Sequence, residues 1–522
     1  MKKYLSLFIG VFLLSSCNND VLEPFTPGVI TDVETAVRTS ADLQRMLNSA
    51  QNIMTNRDEY VFSSVFTDEA VPGFNNGGQG IAGSDAYYLY FLNPSSSAPA
   101  NIWSSNVAAM ARVNIVLERA SSIVPTSAAD ALLIKRLVAE ARILRALAHL
   151  KVMAYFSPDL TNNSALAGVI ADKVYPYNVV LPRANNGSTY AFIHSDLDAA
   201  ITAYTTGTAL PAVAASAVNV TPSLIMARAL KARAYAYKGD YVNAELYANQ
   251  VIASTVTISP RTGLAAVFHT HTSASTSEVI YKFKRTVQQN TQGSNLHNGW
   301  VSVSNGYDGS PFYEVSRSLY NALVNAPGTD ARTNIVVRPA GGASGSLIDP
   351  NYSTSNNVKN SDVLVPFKHG GSGAATATNG FNPDFIQIRI SEMYMIKAEA
   401  RAFANDFSGV ATTLKVITDN RFTTPPALLT LTSAQQAWKA ILDERRKEFA
   451  FEGHRFIDLK RLRTLAGVNN FDRDVADYAP SGLNYPGANP SYFPFANNLK
   501  WALPIPNSEM NANGGFGQNP GY

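Results

Sequence analysis

KARAYAYKGDY, residues 231–241, and KAEARAFANDF, residues 397–407, decide how this chain folds. Ala232, Ala234 and Ala236 of the first stretch fall on Ala398, Ala400 and Ala402 of the second. Small side chains at a contact let two helices approach closely. Gly239 and Asn405 occupy the same place, and Gly and Asn are the residue types that most readily take φ > 0 at a helix end. Asp240 and Asp406 follow as caps for a second helix. Tyr241 and Phe407 then supply a ring to pack into the pair. Each copy predicts a helix, a tight turn and a second helix.

This is the logic of a tetratricopeptide repeat, a period of about 34 residues. The copies lie far apart, so insertions interrupt the repeats. Working outward, apolar residues at i, i+3 and i+4 spacing predict further helical blocks at Ser40–Met54 (Ser40 and Asp42 being cap candidates), Ala108–Ile123, Ala128–Phe156 and Thr189–Tyr204. The pattern continues through Thr221–Ser254, Ile388–Thr418 and Ser433–Leu465. Residues Thr255 to Phe385 are rich in Gly, Ser and Asn. They read as loops with a few short strands such as VIYKFK, 279–284. From Gly467 onward the tail is loop-rich. The expected fold class is mainly α, a TPR-like helical scaffold with long loops and a few short strands.

The N-terminal residues read as a processing signal. Lys2 and Lys3 precede the apolar run Tyr4–Leu14, and Leu14-Ser15-Ser16-Cys17 has the form of a lipobox. The run is well short of the roughly 20 residues a membrane-spanning helix needs, so it reads as a removable signal peptide. Cys17 is the single cysteine and stands where lipidation requires it. Residues 18–30 read as a tether, with Asp20 and Glu23 close behind the lipid. One cysteine rules out intramolecular disulfides, so the core alone must hold the fold. Against 42 Lys and Arg stand 39 Asp and Glu, and charged residues make up only 16% of the chain, below the usual ~25%. A surface wetted by amides and hydroxyls suits neutral partners. The chain has no basic run of the kind that neutralises phosphates, which argues against nucleic acid.

DERRKEFAFEGHRFIDLKRL, residues 443–462, concentrates charge. Glu444, Glu448 and Glu452 fall at i, i+4 spacing, with Arg445, Arg446, Lys447 and Arg455 at hand and an Asp443–Lys447 pair also at i, i+4. The expected role is a structural ion network joining helices, since acid–base catalysis needs a pocket and displaced pKa values. His269 and His271 would share a strand face but lack a third metal ligand, so the metal content stays undefined. Gly78-Gln79-Gly80-Ile81-Ala82-Gly83 matches G-x-G-x-x-G without the strand before and helix after that a dinucleotide site requires. No H-E-x-x-H, G-x-S-x-G or phosphate-loop motif occurs. No catalytic residue and no cofactor is expected.

Four stretches carry a family resemblance. Ala139–Asp159 (AEARILRALAHLKVMAYFSPD), Arg389–Ala400 (RISEMYMIKAEA), Asp443–Leu462 and the ending Pro504-Ile505-Pro506 with Glu509 and Gln518-Asn519-Pro520-Gly521-Tyr522 resemble the SusD/RagB family, in the expected order. The resemblance implies residues 1–16 as signal peptide, 17–30 as lipidated cysteine and tether, 31–260 as the N-terminal helical part and 261–522 as the C-terminal part with an inserted loop region, together one compact unit. It further implies a lipid-anchored, surface-exposed outer-membrane protein that binds an oligosaccharide and serves a SusC-like TonB-dependent transporter in nutrient uptake.

The family's binding aromatics vary in position, so the ligand residues are read from chemistry. Sugars present apolar C–H faces ringed by hydroxyls, which calls for flat aromatic rings beside amides and acids. Two stretches have that mix. One is Phe74–Phe91, with Phe74, Asn75, Asn76, Tyr87 and Tyr88. The other is Asn290–Tyr313, with Asn298, Trp300 and Tyr307. Trp300 leads because no apolar periodicity surrounds it. Some of these rings, notably in YYLYF, alternate as core anchors do. A glycan-degrading enzyme on the same scaffold and a TPR-type adaptor for protein partners are the alternatives.

Overall fold

The turn that the repeat calls for forms twice in the computed structural model. Gly239 sits at φ +81° and Asn405 at φ +59°. In both copies the amide of the turn residue bonds the carbonyl three back (Ala236, 3.2 Å; Ala402, 3.1 Å). The following aspartate amide reaches five back, to Tyr235 at 2.9 Å and Arg401 at 2.8 Å. Asp240 then accepts from the Asn243 amide (3.2 Å) and Asp406 from the Gly409 amide (2.8 Å), capping the second helix of each pair. Tyr241 packs its ring 5.3 Å from Phe403 and 5.4 Å from Trp438.

The structure describes residues 36–73, 86–176, 178–269, 278–285, 296, 313–325, 329–341, 345–352, 354, 362–369, 383–474, 477 and 493–522. The elements run α1 (Ser40–Ile53), α2 (Arg57–Phe66), β1 (Ala70–Pro72), α3 (Ser97–Ala120), α4 (Ala128–Phe156), α5 (Asn186–Thr205), α6 (Leu224–Lys238), α7 (Tyr241–Ile252) and α8 (Leu264–His269). They continue with β2 (Val279–Phe283), β3 (Tyr313–Val315), α9 (Arg317–Val324), α10 (Thr333–Val336), β4 (Phe385–Arg389), α11 (Ile390–Phe403), α12 (Phe407–Asp419), α13 (Ala434–Glu448), α14 (Arg455–Leu462) and α15 (Asn507–Ala512). Helices pack in series, α1 on α3, α3 on α4, α4 on α5, α5 on α6 and α6 on α7. The two repeat copies then meet, α7 on α11, and the series closes through α12, α13 and α14 back to α2. Two small antiparallel sheets, β1·β3 and β2·β4, fasten to this frame. None of the described helices is long and apolar enough to cross a membrane.

Several boundaries differ from the periodicity reading, each for a local reason. Helix α1 is capped by Thr39, not Ser40. The Thr39 hydroxyl accepts from the Asp42 amide at 3.2 Å and the Asp42 carboxylate accepts the Thr39 amide at 2.9 Å, a reciprocal capping box. Helix α3 begins eleven residues before Ala108. Pro99 lies in its first turn, where a missing N–H costs no intrahelical bond. Helix α2 and most of strand β4 lie outside the blocks that periodicity marks. The block 433–465 divides at Phe451 (φ +61°) and Gly453 (φ +81°), so Glu452 reaches its partners from a turn.

The charged block forms the expected network. Glu448 receives Arg389 (2.8 Å), Arg421 (2.8 Å) and Arg332 (3.1 Å). Glu452 takes Arg389 at 2.7 Å and Lys368 at 2.5 Å, and Glu444 takes Arg332 at 2.7 Å. Glu278, at the foot of β2, joins through Arg421 (3.0 Å) and Arg389. Burial alone would raise the Glu448 carboxyl, but Arg421 and Arg389 together hold it well below the usual range. Against the same burial, Arg332 and Lys447 hold Glu444 at about 2. One pair differs from the i, i+4 expectation. Asp443 pairs with Lys439 (2.6 Å) and Lys447 with Glu444 (2.7 Å), because Lys447 lies closer to the buried acid than to the exposed one.

Two buried histidines are held neutral. His149 donates from Nδ1 to the Arg145 carbonyl (2.8 Å) and accepts the Ala171 amide at Nε2 (3.1 Å). His369 donates to the Phe451 carbonyl at 2.6 Å. Burial lowers both to about 4.

Two outcomes follow from this core. Glu448→Ala leaves three guanidinium groups short of a counter-charge and lowers stability by about 3–5 kcal/mol, read as a fall in the urea midpoint at constant m. The histidines bind protons in the unfolded chain below about 6.5 but in the folded chain only near 4. Their contribution is therefore present above pH 6.5 and lost as pH falls from 6.5 towards 4. His149→Gln removes one titrating group, so the slope of stability against pH in that window shrinks by up to about 1.4 kcal/mol per pH unit. Denaturation series at successive pH values measure it.

Candidate functional site

The two aromatic, amide-rich stretches spring from one ladder. β1 and β3 pair antiparallel, with Ala70 opposite Val315, Val71 opposite Glu314 and Pro72 opposite Tyr313. Residue 73 therefore leads into one stretch directly beside the residue at which the other returns. The ladder is anchored from behind. The Ser316 amide donates to the Glu69 carbonyl (2.9 Å), the Ser316 hydroxyl to the Asp68 carbonyl (2.6 Å), and the Val315 amide to the Leu364 carbonyl (2.8 Å). Asp68 is itself clamped by Arg455 at 2.7 and 2.8 Å, which ties the ladder to α14.

The other end of the second stretch is fixed at β2. The Arg285 amide donates to Asp384 (2.9 Å), Lys282 pairs with Asp384 at 2.8 Å, and Arg285 Nη1 donates to the Thr55 hydroxyl at 3.0 Å. The chain thus leaves β2 beside the C-terminal end of α1. On the far side of the first stretch, Arg473 donates to the carbonyls of Thr67 and Tyr88, both at 2.8 Å. Its guanidinium carbon lies 4.0 Å from the centre of the Tyr88 ring and 4.5 Å from that of Tyr90. Phe471 lies on it as well, at 5.6 Å, and Tyr90, Phe471, Phe493, Phe495 and Trp501 pack on one another as a cluster of rings beside it. Burial pushes the Tyr90 hydroxyl up to about 12.

Tyr87 and Tyr88 belong to this anchorage, not to a ligand surface. They are 5% and 0% exposed. Tyr87 accepts the Ala98 amide at 2.9 Å, closing the start of α3, and its ring meets Phe62 edge-on at 5.4 Å. The alternation in YYLYF forms a short 3-10 turn packed on α2, which buries these rings and leaves Phe91 outside. Phe74, Asn75, Asn76, Asn298, Trp300, Tyr307 and the lipidation candidate Cys17 lie outside the described residues. His269 ends α8, not a strand, and its Nε2 lies 3.1 Å from the Phe367 carbonyl. His271 lies outside the described residues, and among those described no group of three metal-ligating side chains forms.

Beside the Thr55 anchor lies an open hollow of about 400 Å³ lined by Thr55, Asn56, Asp58, Asn101, Ser104 and Ser105 together with the apolar Ile53 and Ala108. Asn56 caps α2 through Oδ1 (2.9 Å to the Asp58 amide), while its buried Nδ2 has no hydrogen-bond partner among the described residues. Asn101 donates to Asp58. Asp58, the Asn56 and Asn101 amides and the Thr55, Ser104 and Ser105 hydroxyls bring both donors and acceptors to it. Nothing in the run TNRD, residues 55–58, marks it as a site in sequence, and only the fold brings it to α3. Burial raises two carboxyls, Glu69 and Glu140, to about 7. Each is 1% exposed, the first against the Ser64 hydroxyl (2.6 Å) and the second against Arg136 (2.9 Å).

Comparison with known proteins bears on this geometry. A model of the SusD family matches residues 225–522, and a SusD-like model described as starch-binding, associating with outer membrane, matches residues 30–236. No curated protein matches the sequence. A SusD superfamily protein from Bacteroides thetaiotaomicron VPI-5482 is similar at 20% identity and TM-score 0.72, covering 92% of this chain and 100% of that one. A SusD-like carbohydrate binding protein from Bacteroides vulgatus ATCC 8482 is similar at 17% identity and TM-score 0.68, covering 92% and 98%. A laminarin binding SusD-like protein is similar at 19% identity and TM-score 0.65, covering 93% and 100%. At these identities the solved structures establish a shared fold.

Proposed function

The chain belongs to the SusD family, and from that premise we propose that it is a non-catalytic lipoprotein of the outer membrane that captures an oligosaccharide at the cell surface and passes it to a SusC-like TonB-dependent transporter. The observation that carries the reading is the pairing of Pro72 with Tyr313. It joins the bases of the two stretches whose composition fits a sugar, so Phe74, Asn75 and Asn76 enter from the same ladder to which the Asn298–Trp300–Tyr307 stretch returns. The carbohydrate and laminarin binding named for two structural neighbours supports the same ligand class. The description of the second matching model supports association with the outer membrane.

In this reading residues 1–16 are removed, Cys17 is acylated and residues up to 30 tether the fold to the membrane. Each buried methylene contributes about 0.8 kcal/mol, so more than one acyl chain gives stable anchoring. Residues 31–260 and 261–522 act as one unit, a reading supported by the packing of α7 on α11 and of α2 on α14. Glu444, Glu448 and Glu452 are engaged by cations, which favours binding over cleavage for this block. Neutral sugars offer little apolar area and many hydroxyls to desolvate. The expected affinity is millimolar to micromolar, about −4 to −8 kcal/mol.

The test begins with a glycan array on the mature protein, followed by calorimetry on the best ligand. Trp300→Ala weakens binding several-fold and leaves the thermal midpoint unchanged. Equal affinity in the variant removes Trp300 from the site, and an array without any glycan signal removes the reading. Incubation with the bound oligosaccharide releases no reducing ends, and their appearance would restore the hydrolase alternative.

A further inference from the structure

A polar groove lies between α1, the segment 211–221 and the end of β2. Its volume is about 490 Å³, within the range of small-molecule sites. It shares no lining residue with the hollow at Thr55. Gln44, Asn48, Gln51 and Asn52 project into it from one face of α1, at i, i+4, i+7 and i+8. Ala212, Val213 and Ala214 give it a floor of small apolar side chains. A side-chain amide offers two donors and an acceptor with two lone pairs, so four in a row match the mixed donor and acceptor rim of a pyranose.

Both cations at the groove already have an acidic partner. Arg136 pairs with Glu140 at 2.9 Å and donates to the Pro211 carbonyl at 3.3 Å. Lys284 pairs with Asp384 at 3.3 Å. The uncharged amide row, which dominates one wall, favours a neutral ligand. Gln51 is held in place by the Tyr281 hydroxyl at 2.7 Å, and Gln44 donates to Asn48 at 3.1 Å, so part of the amide row is pre-oriented.

We propose that this groove is a second saccharide subsite, which takes one or two neutral sugar units independently of the aromatic loops. The segment 211–221 forms its wall, so a bulky side chain at the exposed Ala214 fills it without touching the core.

The probes are maltotriose and, separately, laminaritriose at millimolar concentration, read by saturation-transfer NMR on the mature protein. In a Trp300→Ala background residual transfer persists. Adding Ala214→Trp reduces it several-fold, Asn48→Ala with Asn52→Ala reduces it likewise, and Ala214→Ser leaves it intact. Circular dichroism confirms that each variant is folded. Residual transfer indifferent to Ala214→Trp and to the double amide variant overturns the subsite. So does complete loss of transfer on Trp300→Ala alone, which would leave the loop reading standing. Transfer unaffected by Trp300→Ala but removed by Ala214→Trp supports the groove and removes Trp300 instead. Trialanine giving a transfer equally sensitive to Ala214→Trp overturns the saccharide assignment, and no transfer from either sugar to the wild-type protein overturns both sites.

Discussion

Arg389 is the interaction on which the rest depends. It is fully buried at the junction of β4 and α11 and bonds Glu448, Glu452 and Glu278, which arrive from α13, the turn after it and the foot of β2. Arg421 doubles the links to Glu448 and Glu278, and Arg332 extends them to Glu444 and Asp330. Desolvating so many charges is expensive, and a hydrophobic cluster of equal size would hold comparable stability. What the network adds is discrimination among arrangements. Any helix docked in the wrong register would strand a charge in the interior, so the elements meet in one way.

The same block reaches in two other directions. Arg445 and Arg461 bind Glu399 and Asp458, fixing α11 to α13 and α14 just ahead of the second repeat turn. Arg455 clamps Asp68, immediately before β1. Rigidity therefore passes from the ion network to the base of the β1·β3 ladder with no intervening loop. The Arg473 and Tyr90 cluster performs the same service for the far end of the first stretch. Sequence between such anchors can change while its entry and exit stay in place, because loops carry function on a rigid scaffold.

Much of this frame is legible in the sequence because its signals are local. A glycine or asparagine at a turn, an aspartate after it and alanines before it are recognisable without a fold. The acids and bases of residues 443–462 are equally visible, though their partners are not. The misses are those in which tertiary contact overrides a short pattern. Helix α2 has ten residues, too few to show periodicity, and is stabilised by burying Tyr60, Phe62 and Phe66. FIQIR, residues 385–389, runs straight into a helix, so its strand character emerges only in pairing with β2. Tyr87 and Tyr88 carry the same ring chemistry as a sugar platform, and composition cannot say which side of a turn faces the core. The hollow at Thr55 and the amide groove on α1 were invisible for a related reason. Their residues are ordinary surface amides and hydroxyls until α3 or the segment 211–221 is laid beside them.

The charge distribution gives the final link between frame and ligand. The chain has few charged residues, and a large share of them are turned inward into ion pairs. An exterior with that composition is wetted chiefly by Asn, Gln, Ser and Thr. Such a surface offers no long-range field to attract a polyion, and it presents many paired donors and acceptors at short range. Under the proposed function, recognition then rests on shape and on hydrogen bonds to a neutral polyol, with rings supplying the apolar contact. The internal use of charge to specify the helical frame and the proposed preference for neutral ligands are therefore two consequences of one allocation of side chains.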